Sequence, residues 1–274
     1  MNDPTPHIAP PRPTPPARSA AAAMLGLSFP AREPIELPLL DLDAHYCRRC
    51  GATAVDAAIT DRGCPFCRGR RLPWRRVHRL GAYRPPLSDW IIRMKFQRQW
   101  ALADRIAMML AASAPDPPDH APEPRPGGTS SRGSTLPPHP DPTAPRVAVV
   151  PVPLHWTRRL RRGYDQTRIV ARTLAERRGW TLAPLVRRAR PTPPQSSITD
   201  HAARLRNVRG AFTCRPADLR GWSVWLVDDV VTTGATARQA ARLLRRAGAS
   251  WLGLAVLAVA DPLGANFQYQ TSSP

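Results

Sequence analysis

The chain has 274 residues, which is enough for one large domain or two modest ones with a substantial hydrophobic core. Its formal net charge of +20 favours phosphate-bearing partners, but the abundance of Ala, Arg and Pro is also what a GC-rich genome produces. No apolar run is long enough to cross a bilayer, and the Ala-rich stretch at 19–27 is too short and too weakly apolar for a secretory signal. We therefore expect a cytoplasmic protein with no membrane span.

Two Cys-x-x-Cys motifs are the first chemical feature of the chain. Residues 1–43, before them, begin with a Pro/Ala tract that lacks periodicity, which predicts a tail with little order. Four thiolates at this spacing can bind one tetrahedral zinc, and so short a segment would draw much of its folding free energy from the metal. Two disulfides or a redox pair are the alternatives; a reducing compartment disfavours the first, and the second needs only one motif. We predict a structural zinc ribbon at 44–78 with the ligands Cys47, Cys50, Cys64 and Cys67.

A second domain is predicted at 79–265, beginning with an amphipathic helix at about 88–112. Ser88 or Asp89 is the predicted N-cap, because apolar residues recur at helical spacing after it. Lys95, the only lysine of the chain, lies on this helix. A solvated side chain is the favoured interpretation of Lys95, and an anion contact near the active site is the alternative. Residues 113–145 are dense in proline and predict an exposed insertion in the domain, and 266–274 are predicted as a flexible tail.

A basic segment follows the apolar strand predicted at 146–152. Ligands of open α/β sheets bind beyond the ends of strands, so its arginines are candidates for binding a diphosphate group. A charged, solvent-exposed helix start is the alternative. A helix is then predicted from Gln166 to about Gly179. The candidate diphosphate ligands are Arg158, Arg159, Arg161 and Arg162.

A proline-rich loop at 190–197 has two interpretations of nearly equal weight. It is either a mobile lid over a substrate, in which Arg190 and Gln195 take part, or an ordinary surface connector. Cys214 stands apart from the other cysteines, which favours a small, partly buried residue without chemistry.

The stretch 224–236 is the best candidate for a ligand site. Its first four residues are apolar without alternation, which predicts a buried parallel strand. Asp228 and Asp229 end this strand and are suited to accept hydrogen bonds from sugar hydroxyls or to hold Mg²⁺. The turn behind them begins a helix, where backbone N–H groups and the macrodipole favour a phosphate. An ordinary strand and turn, with aspartates that only cap the helix, is the alternative. The candidate phosphate-binding residues are Thr232, Thr233, Gly234, Ala235 and Thr236.

The same stretch resembles the phosphoribosyl-pyrophosphate (PRPP) signature of type I phosphoribosyltransferases. With the other motifs in their order, the chain resembles the ComF family, bacterial proteins associated with DNA uptake, over about 44–112 and 146–262. The resemblance implies an α/β, type I phosphoribosyltransferase-like fold, a mostly parallel sheet flanked by helices, preceded by a small zinc ribbon. Family members usually have Phe-Asn where this chain has Tyr164-Asp165, and a glycine near 97–99. The motifs that carry the resemblance are the four cysteines, Ile91–Phe96, Pro151–Leu154, Arg162–Gln166, Arg206–Phe212 and Asp228–Thr236.

The resemblance does not settle the reaction, because a fold and its ligand site can outlive the chemistry. The leading hypothesis is a Mg²⁺-dependent transfer of the phosphoribosyl group from PRPP to a nitrogen acceptor. Asp228 and Asp229 are the expected catalytic residues, with 232–236 around the 5-phosphate. A non-catalytic module that handles single-stranded DNA, through zinc ribbon, basic surface and Trp residues, is one alternative, and a PRPP sensor without turnover is another. The expected cofactors are structural Zn²⁺ and Mg²⁺ with PRPP. The expected partners are PRPP or a related ribose phosphate, single-stranded DNA and DNA-uptake proteins.

Overall fold

The structure is a computed structural model, and it describes residues 46–54, 58–97, 99–118, 136, 145–154, 162–190 and 210–260. The predicted tails at 1–43 and 266–274 and most of the predicted insertion at 113–145 lie outside these residues. The helices and strands are β1 (Arg76–Ala82), α1 (Leu87–Phe96), α2 (Trp100–Ser113), β2 (Val147–Pro151), α3 (Gln166–Arg178), β3 (Thr181–Leu182), β4 (Val186–Arg188), β5 (Phe212–Cys214), β6 (Ser223–Val231), α4 (Ala235–Arg246) and β7 (Trp251–Val259).

Five strands form one sheet in the order β1-β7-β6-β2-β3, and every neighbouring pair in it is parallel. A small antiparallel sheet joins β4 to β5. The central strands are apolar along their length because both faces of the sheet are covered. Along β6, Val224 and Leu226 enter one core cluster, whereas Trp225 and Val227 enter the other. The predicted mostly parallel sheet is thereby confirmed.

Helices cover the two faces of the sheet, and the direction of the connections reverses between β2 and β6. The alanine-rich face of α4 packs in one core cluster, and α1, α2 and α3 pack in the other. From β2 the chain moves through α3 to β3 at one edge, whereas from β6 it moves through α4 to β7 on the opposite side. Open α/β sheets bind ligands at such a reversal, outside the carboxyl ends of the strands. Among the described helices, none has the length and apolar character needed to cross a membrane.

The region predicted as one helix at 88–112 contains two helices. Gln97 has φ −107° and ψ 15°, so α1 ends there and α2 starts afresh three residues later. The break allows Met94 on α1 and Ile106 on α2 to be fully buried in the same core cluster. The predicted cap at Ser88 or Asp89 is also wrong. The helix starts one residue earlier, without a capping side chain, and Ser88 is buried within its first turn.

The cysteine module, residues 46–54 and 58–73, packs against β1. The N–H of Val77 donates to the carbonyl of Arg48 over 2.6 Å, and the guanidinium of Arg79 donates to the carbonyl of Gly51 over 2.7 Å. The predicted boundary at residue 78 falls inside β1, because Val77 and Leu80 are fully buried in the two cores of the sheet. The polar backbone of the module is therefore bonded directly to the first strand.

Candidate functional site

The predicted acidic pair lies where β6 extends beyond its neighbour β2. The last paired residues of these two strands are Val227 and Pro151, whereas β6 continues beside β7 as far as Val231. Asp228 and Asp229 are therefore the first residues of β6 beyond the point where β2 ends. Because successive side chains of a strand point to opposite faces, the two carboxyl groups have different surroundings.

Asp229 is bonded to two helices on one face of the sheet. Its Oδ2 lies 3.0 Å from the ammonium of Lys95 on α1 and accepts a 2.8 Å hydrogen bond from Nε2 of Gln166 on α3. Gln166 is fully buried and the Lys95 side chain is only 16% exposed, so the favoured prediction of a solvated Lys95 is wrong. A buried carboxylate attracts the ammonium inward. Burial raises the pKa of Asp229, but Lys95 and Gln166 outweigh it and hold the pKa below its usual value, so Asp229 is ionised at neutral pH.

The residues Tyr164-Asp165-Gln166 fix the geometry around Asp229. The hydroxyl of Tyr164 donates to the carbonyl of Met94, at the end of α1 next to the lysine. Asp165 is the N-cap of α3 and accepts a 3.1 Å hydrogen bond from the N–H of Arg168. The ComF family usually has Phe-Asn at these two positions. Tyr164 thus adds a hydrogen bond that phenylalanine cannot make, and Asp165 caps the helix as asparagine would. The predicted end of this helix is confirmed, since its C-terminal residue is followed by Gly179 with φ 65°.

Asp228 is the partly exposed member of the pair. Burial of its carboxyl group, together with the nearby charge of Asp229, raises its pKa to about 8. The N–H of Asp229 and the positive charges of Lys95 and Arg188 oppose this rise without cancelling it. The pair therefore joins a carboxylate that is ionised to a carboxyl group that keeps a proton near neutral pH. An arriving cation favours release of that proton.

The predicted phosphate-binding residues form the turn between β6 and α4. Gly234 is the N-cap residue and has φ 70° and ψ 12°, a conformation that glycine adopts at low cost. The side chain of Thr233 accepts a 3.4 Å hydrogen bond from the N–H of Ala235, and no side chain of the N-cap position blocks the helix start. Thr232 is exposed, and Thr233 and Thr236 are partly exposed. The turn therefore offers hydroxyl groups and first-turn N–H groups directly after the acidic pair.

The predicted diphosphate ligands and lid are described only in part. The guanidinium of Arg162 lies 5.4 Å from the ring centroid of Phe96, and its charge contributes to the low pKa of Asp229. Arg162 is therefore close to the acidic pair. Arg190 is exposed just beyond β4. The predicted residues that lie outside the described ranges are Arg158, Arg159, Arg161 and Gln195.

The four cysteines predicted as metal ligands come together. Their sulfurs lie within 4.8 Å of one another, with 3.7 Å between Cys47 and Cys67 and 3.6 Å between Cys50 and Cys64. Four sulfurs around one zinc at a bond length of ~2.3 Å are ~3.8 Å apart in a tetrahedron. None of the four forms a disulfide. The cluster is therefore able to hold one metal ion.

The sequence did not assign two residues of the site: an anion contact was only the alternative interpretation of Lys95, and Gln166 was predicted only as the start of a helix. Lys95 carried one signal, since it is the only lysine in a chain whose other strongly basic side chains are all arginine. Gln166 carried none, because a glutamine at a helix start is ordinary, and its bond to Asp229 joins residues 63 positions apart. Such a contact exists only after the sheet has formed.

Known proteins resemble this chain over most of its length, and one family model matches its C-terminal half. The family of the phosphoribosyl transferase domain matches residues 160–268. DNA utilization protein YhgH of Salmonella typhi is 31% identical over 206 residues, which cover 74% of this chain and 79% of that protein. The protein of the same name from Escherichia coli K12 is 30% identical over 210 residues, with 76% and 81% covered. Competence protein F of Haemophilus influenzae is 29% identical over 209 residues, with 74% and 80% covered.

The matched phosphoribosyl transferase domain includes β6, which carries the acidic pair, and the turn that follows it. A parallel sheet flanked by helices, with two carboxylates and a turn at the end of its central strand, agrees with the matched domain. The four-cysteine cluster ahead of β1 agrees with the predicted ribbon. The chain belongs to the ComF family, with a type I phosphoribosyltransferase fold preceded by a four-cysteine module.

Proposed function

We propose that this chain binds PRPP, or a closely related ribose phosphate, at the junction of β6 and α4 and transfers its phosphoribosyl group to a nitrogen acceptor. One observation carries the proposal: Asp229 is ionised and held by Lys95 and Gln166 at the end of a central strand, directly before a turn that offers N–H groups. A strand whose aspartates only cap a helix does not need two partners from other helices on one carboxylate oxygen.

The two ends of the sugar would meet different parts of the site. First-turn N–H groups and hydroxyls of 232–236 would hold the 5-phosphate. Asp228 and Asp229 would accept hydrogen bonds from the ribose hydroxyls and stabilise positive charge that develops at C1. Arg162, with the predicted arginines at 158, 159 and 161, would contact the diphosphate. The bond from C1 to the diphosphate oxygen breaks, the bond from C1 to the acceptor nitrogen forms, and the acceptor proton passes to solvent.

Two metal ions belong to this proposal. The four cysteines would hold Zn²⁺, whose sulfur bonds supply folding free energy to a module too small for a large core of its own. Asp228 and Asp229 would hold Mg²⁺ that accompanies PRPP, and such an ion would supply positive charge for the diphosphate. The raised pKa of Asp228 means that its proton would have to leave before it could bind such a cation.

A role with DNA is the second candidate, supported by the relatives named for DNA utilization and competence and by the charge of one surface. In the described part of the cysteine module Asp61 is the only acidic residue, among many arginines. Burial and the charges of Arg70 and Arg242 lower the pKa of Arg238 on α4, which shows that arginines of module and helix are close together. Such a surface fits the phosphates of single-stranded DNA, whether or not the PRPP site turns over.

Release of pyrophosphate tests the enzymatic proposal. Zinc-loaded protein is incubated with PRPP, Mg²⁺ and a panel of purine, pyrimidine and amine acceptors. The proposal expects release with at least one acceptor class and its loss in Asp229→Asn. Binding of PRPP without release for any acceptor would instead support a sensor.

The DNA candidate is tested separately by binding of single-stranded oligonucleotides at rising salt. A phosphate-based interaction expects affinity to fall steeply as salt increases, and paired charge reversals such as Arg242→Glu with Arg246→Glu should weaken it at low salt. Failure to bind single strands even at low salt would exclude this role. A double-stranded oligonucleotide of equal length serves as the control for nonspecific charge attraction.

A further inference from the structure

Trp74 joins the cysteine module to the turn that follows the acidic pair. Its Nε1 donates a 3.1 Å hydrogen bond to the carbonyl of Arg49, which lies between Cys47 and Cys50 in the first Cys-x-x-Cys motif. The side chain is buried, with the residue 4% exposed. One end of the indole is thus fixed to the backbone between two candidate metal ligands.

The other end of the indole lies beside the turn. A Cβ placed on Gly234 would lie 3.4 Å from Cη2, the outermost ring carbon of Trp74, so the ring borders the space that a side chain at position 234 would enter. The guanidinium of Arg238, one helical turn later, lies 5.7 Å from the ring centroid. Arg238 also donates to the carbonyl of Arg71 over 3.4 Å. The start of α4 therefore rests on the ring and on the chain that leads out of the module.

The hydrogen bond to Arg49 is the polar contact that orients the indole on the side of the module. A cavity of about 430 Å³ adjoins Trp74 on the module side, lined in part by Arg49, Asp61 and Arg75. Away from this cavity the ring packs in the core cluster that also contains Val231 and Ala235, at the two ends of the turn. The carbonyl of Arg49 in turn has a defined position, because its motif is bonded to β1 through the neighbouring carbonyls and is drawn together at its two cysteines.

We propose that Trp74 is a positioning residue that transmits the geometry of the metal-bound cysteine module to the turn 232–236. Metal bound by Cys47 and Cys50 holds the carbonyl of Arg49, Arg49 holds the indole, and the indole supports Gly234 in the conformation that exposes its neighbouring N–H groups. This rests on the proposed function, since the turn is the proposed site of the PRPP phosphate. The module then belongs to the ligand site and is more than a separate nucleic-acid contact.

Hydrogen exchange of the backbone amides at 238–241 tests this coupling without any ligand. These amides are the first that are hydrogen-bonded within α4, beginning with the bond from Arg238 to the carbonyl of Gly234. The comparison is between zinc-loaded wild type, Trp74→Phe, and a protein that carries benzothienylalanine at position 74, which keeps the ring shape and lacks only the N–H. Loss of one hydrogen bond is worth about 1 kcal/mol, so we expect about fivefold faster exchange at these amides in both variants. Trp222→Phe is the matched control, because Trp222 is equally buried in the same core cluster but precedes β6 at its opposite end.

Removal of zinc by a chelator completes the test. Exchange at 238–241 should rise in wild type and in Trp222→Phe, and should rise no further in the benzothienylalanine protein. Unchanged exchange in that protein while amides of β6 stay protected, or an equal further rise on chelation, would overturn the coupling. A parallel titration of wild type with PRPP and Mg²⁺ reports on the proposed function alone. Absence of PRPP binding would contradict the proposed function, whereas the exchange data would still decide the role of Trp74.

Discussion

Lys95 and Asp229 form an ion pair of 3.0 Å between the end of α1 and the end of β6, with side chains 16% and 12% exposed. The same carboxylate oxygen also accepts the hydrogen bond from Gln166. The lysine and the glutamine come from different helices on one face of the sheet. This arrangement keeps one member of the acidic pair ionised and fixed, and leaves Asp228 partly exposed beside it.

Replacing Lys95 with methionine tests the importance of this pair. Loss of one partner leaves a mostly buried carboxylate, so we expect the free energy of unfolding to fall by about 3 kcal/mol and the pKa of Asp229 to rise. PRPP affinity should fall with it. Arg93→Met is the matched control, because Arg93 is exposed on the same helix. Chemical denaturation gives the stability, and equal losses in both variants would argue against a special role for Lys95.

Gln166→Leu removes the second partner of Asp229. Since Lys95 and Gln166 bond to the same Oδ2, the losses of the two single variants should not add in the double variant. We expect a coupling energy between about 0.5 and 3 kcal/mol from a double-mutant cycle of unfolding free energies. Strictly additive losses would show that the two residues act on Asp229 independently.

Asp228→Asn should stabilise the protein at alkaline pH. The folded pKa of about 8 lies above the value of an unfolded aspartate, so the folded state holds a proton that the unfolded chain has released. The contribution of Asp228 to the free energy of unfolding is therefore fully present below about pH 4 and declines as the pH rises toward 8. The asparagine variant should not show this decline. At pH 9 its free energy of unfolding should exceed that of the wild type by more than about 1.4 kcal/mol, which corresponds to one pKa unit.

Thermal melts of Asp228→Asn between pH 4 and 9 measure the effect. Asp218→Asn is the control, because Asp218 pairs with Arg220 near the surface and its pKa is lowered, mainly by the side-chain hydrogen bond from that arginine. A stability profile of Asp228→Asn that runs parallel to wild type at all pH values would contradict the raised pKa.

Gly234→Ala separates backbone conformation from ordinary helix capping. An alanine at φ 70° costs about 1–2 kcal/mol, and we expect the loss of PRPP affinity to exceed that of stability. Gly179→Ala has a similar φ of 65° with no atom within 4 Å of the added Cβ, so it should lose comparable stability and keep its affinity. Equal PRPP affinities for Gly234→Ala and Gly179→Ala would show that the turn is not part of the PRPP site.

The metal prediction is checked by composition and by melting. We expect one zinc per chain by elemental analysis, four titratable thiols in the module after metal removal, and a lower melting temperature in chelator. Cys64→Ser should reduce the zinc content, whereas Cys214→Ser, outside the cluster, should retain it. Retention of zinc by Cys64→Ser would place the metal elsewhere.

The sequence predicted those parts of the molecule whose signals are local. The strand before Asp228, the turn at Gly234 and the spacing of the four cysteines are each contained in one short segment, and each appears in the structure where it was expected. The break at Gln97 was missed because apolar periodicity continues through it, and tertiary packing decides where the helix divides. The bonds from Lys95 and Gln166 to Asp229 were not predicted, although an anion contact was the alternative interpretation of Lys95, because the topology of the sheet, which no short window contains, brings these residues together.

Calorimetric titration of the zinc-loaded protein with PRPP and Mg²⁺ tests the central claim most directly. We predict saturable binding of one PRPP per chain, weakened at least about tenfold, or 1.4 kcal/mol, in Asp229→Asn and in Thr233→Ala, with Asp218→Asn unchanged. Absence of binding by the wild-type protein, or unaltered affinity in both site variants, would contradict the assignment of the β6–α4 junction as a sugar-phosphate site.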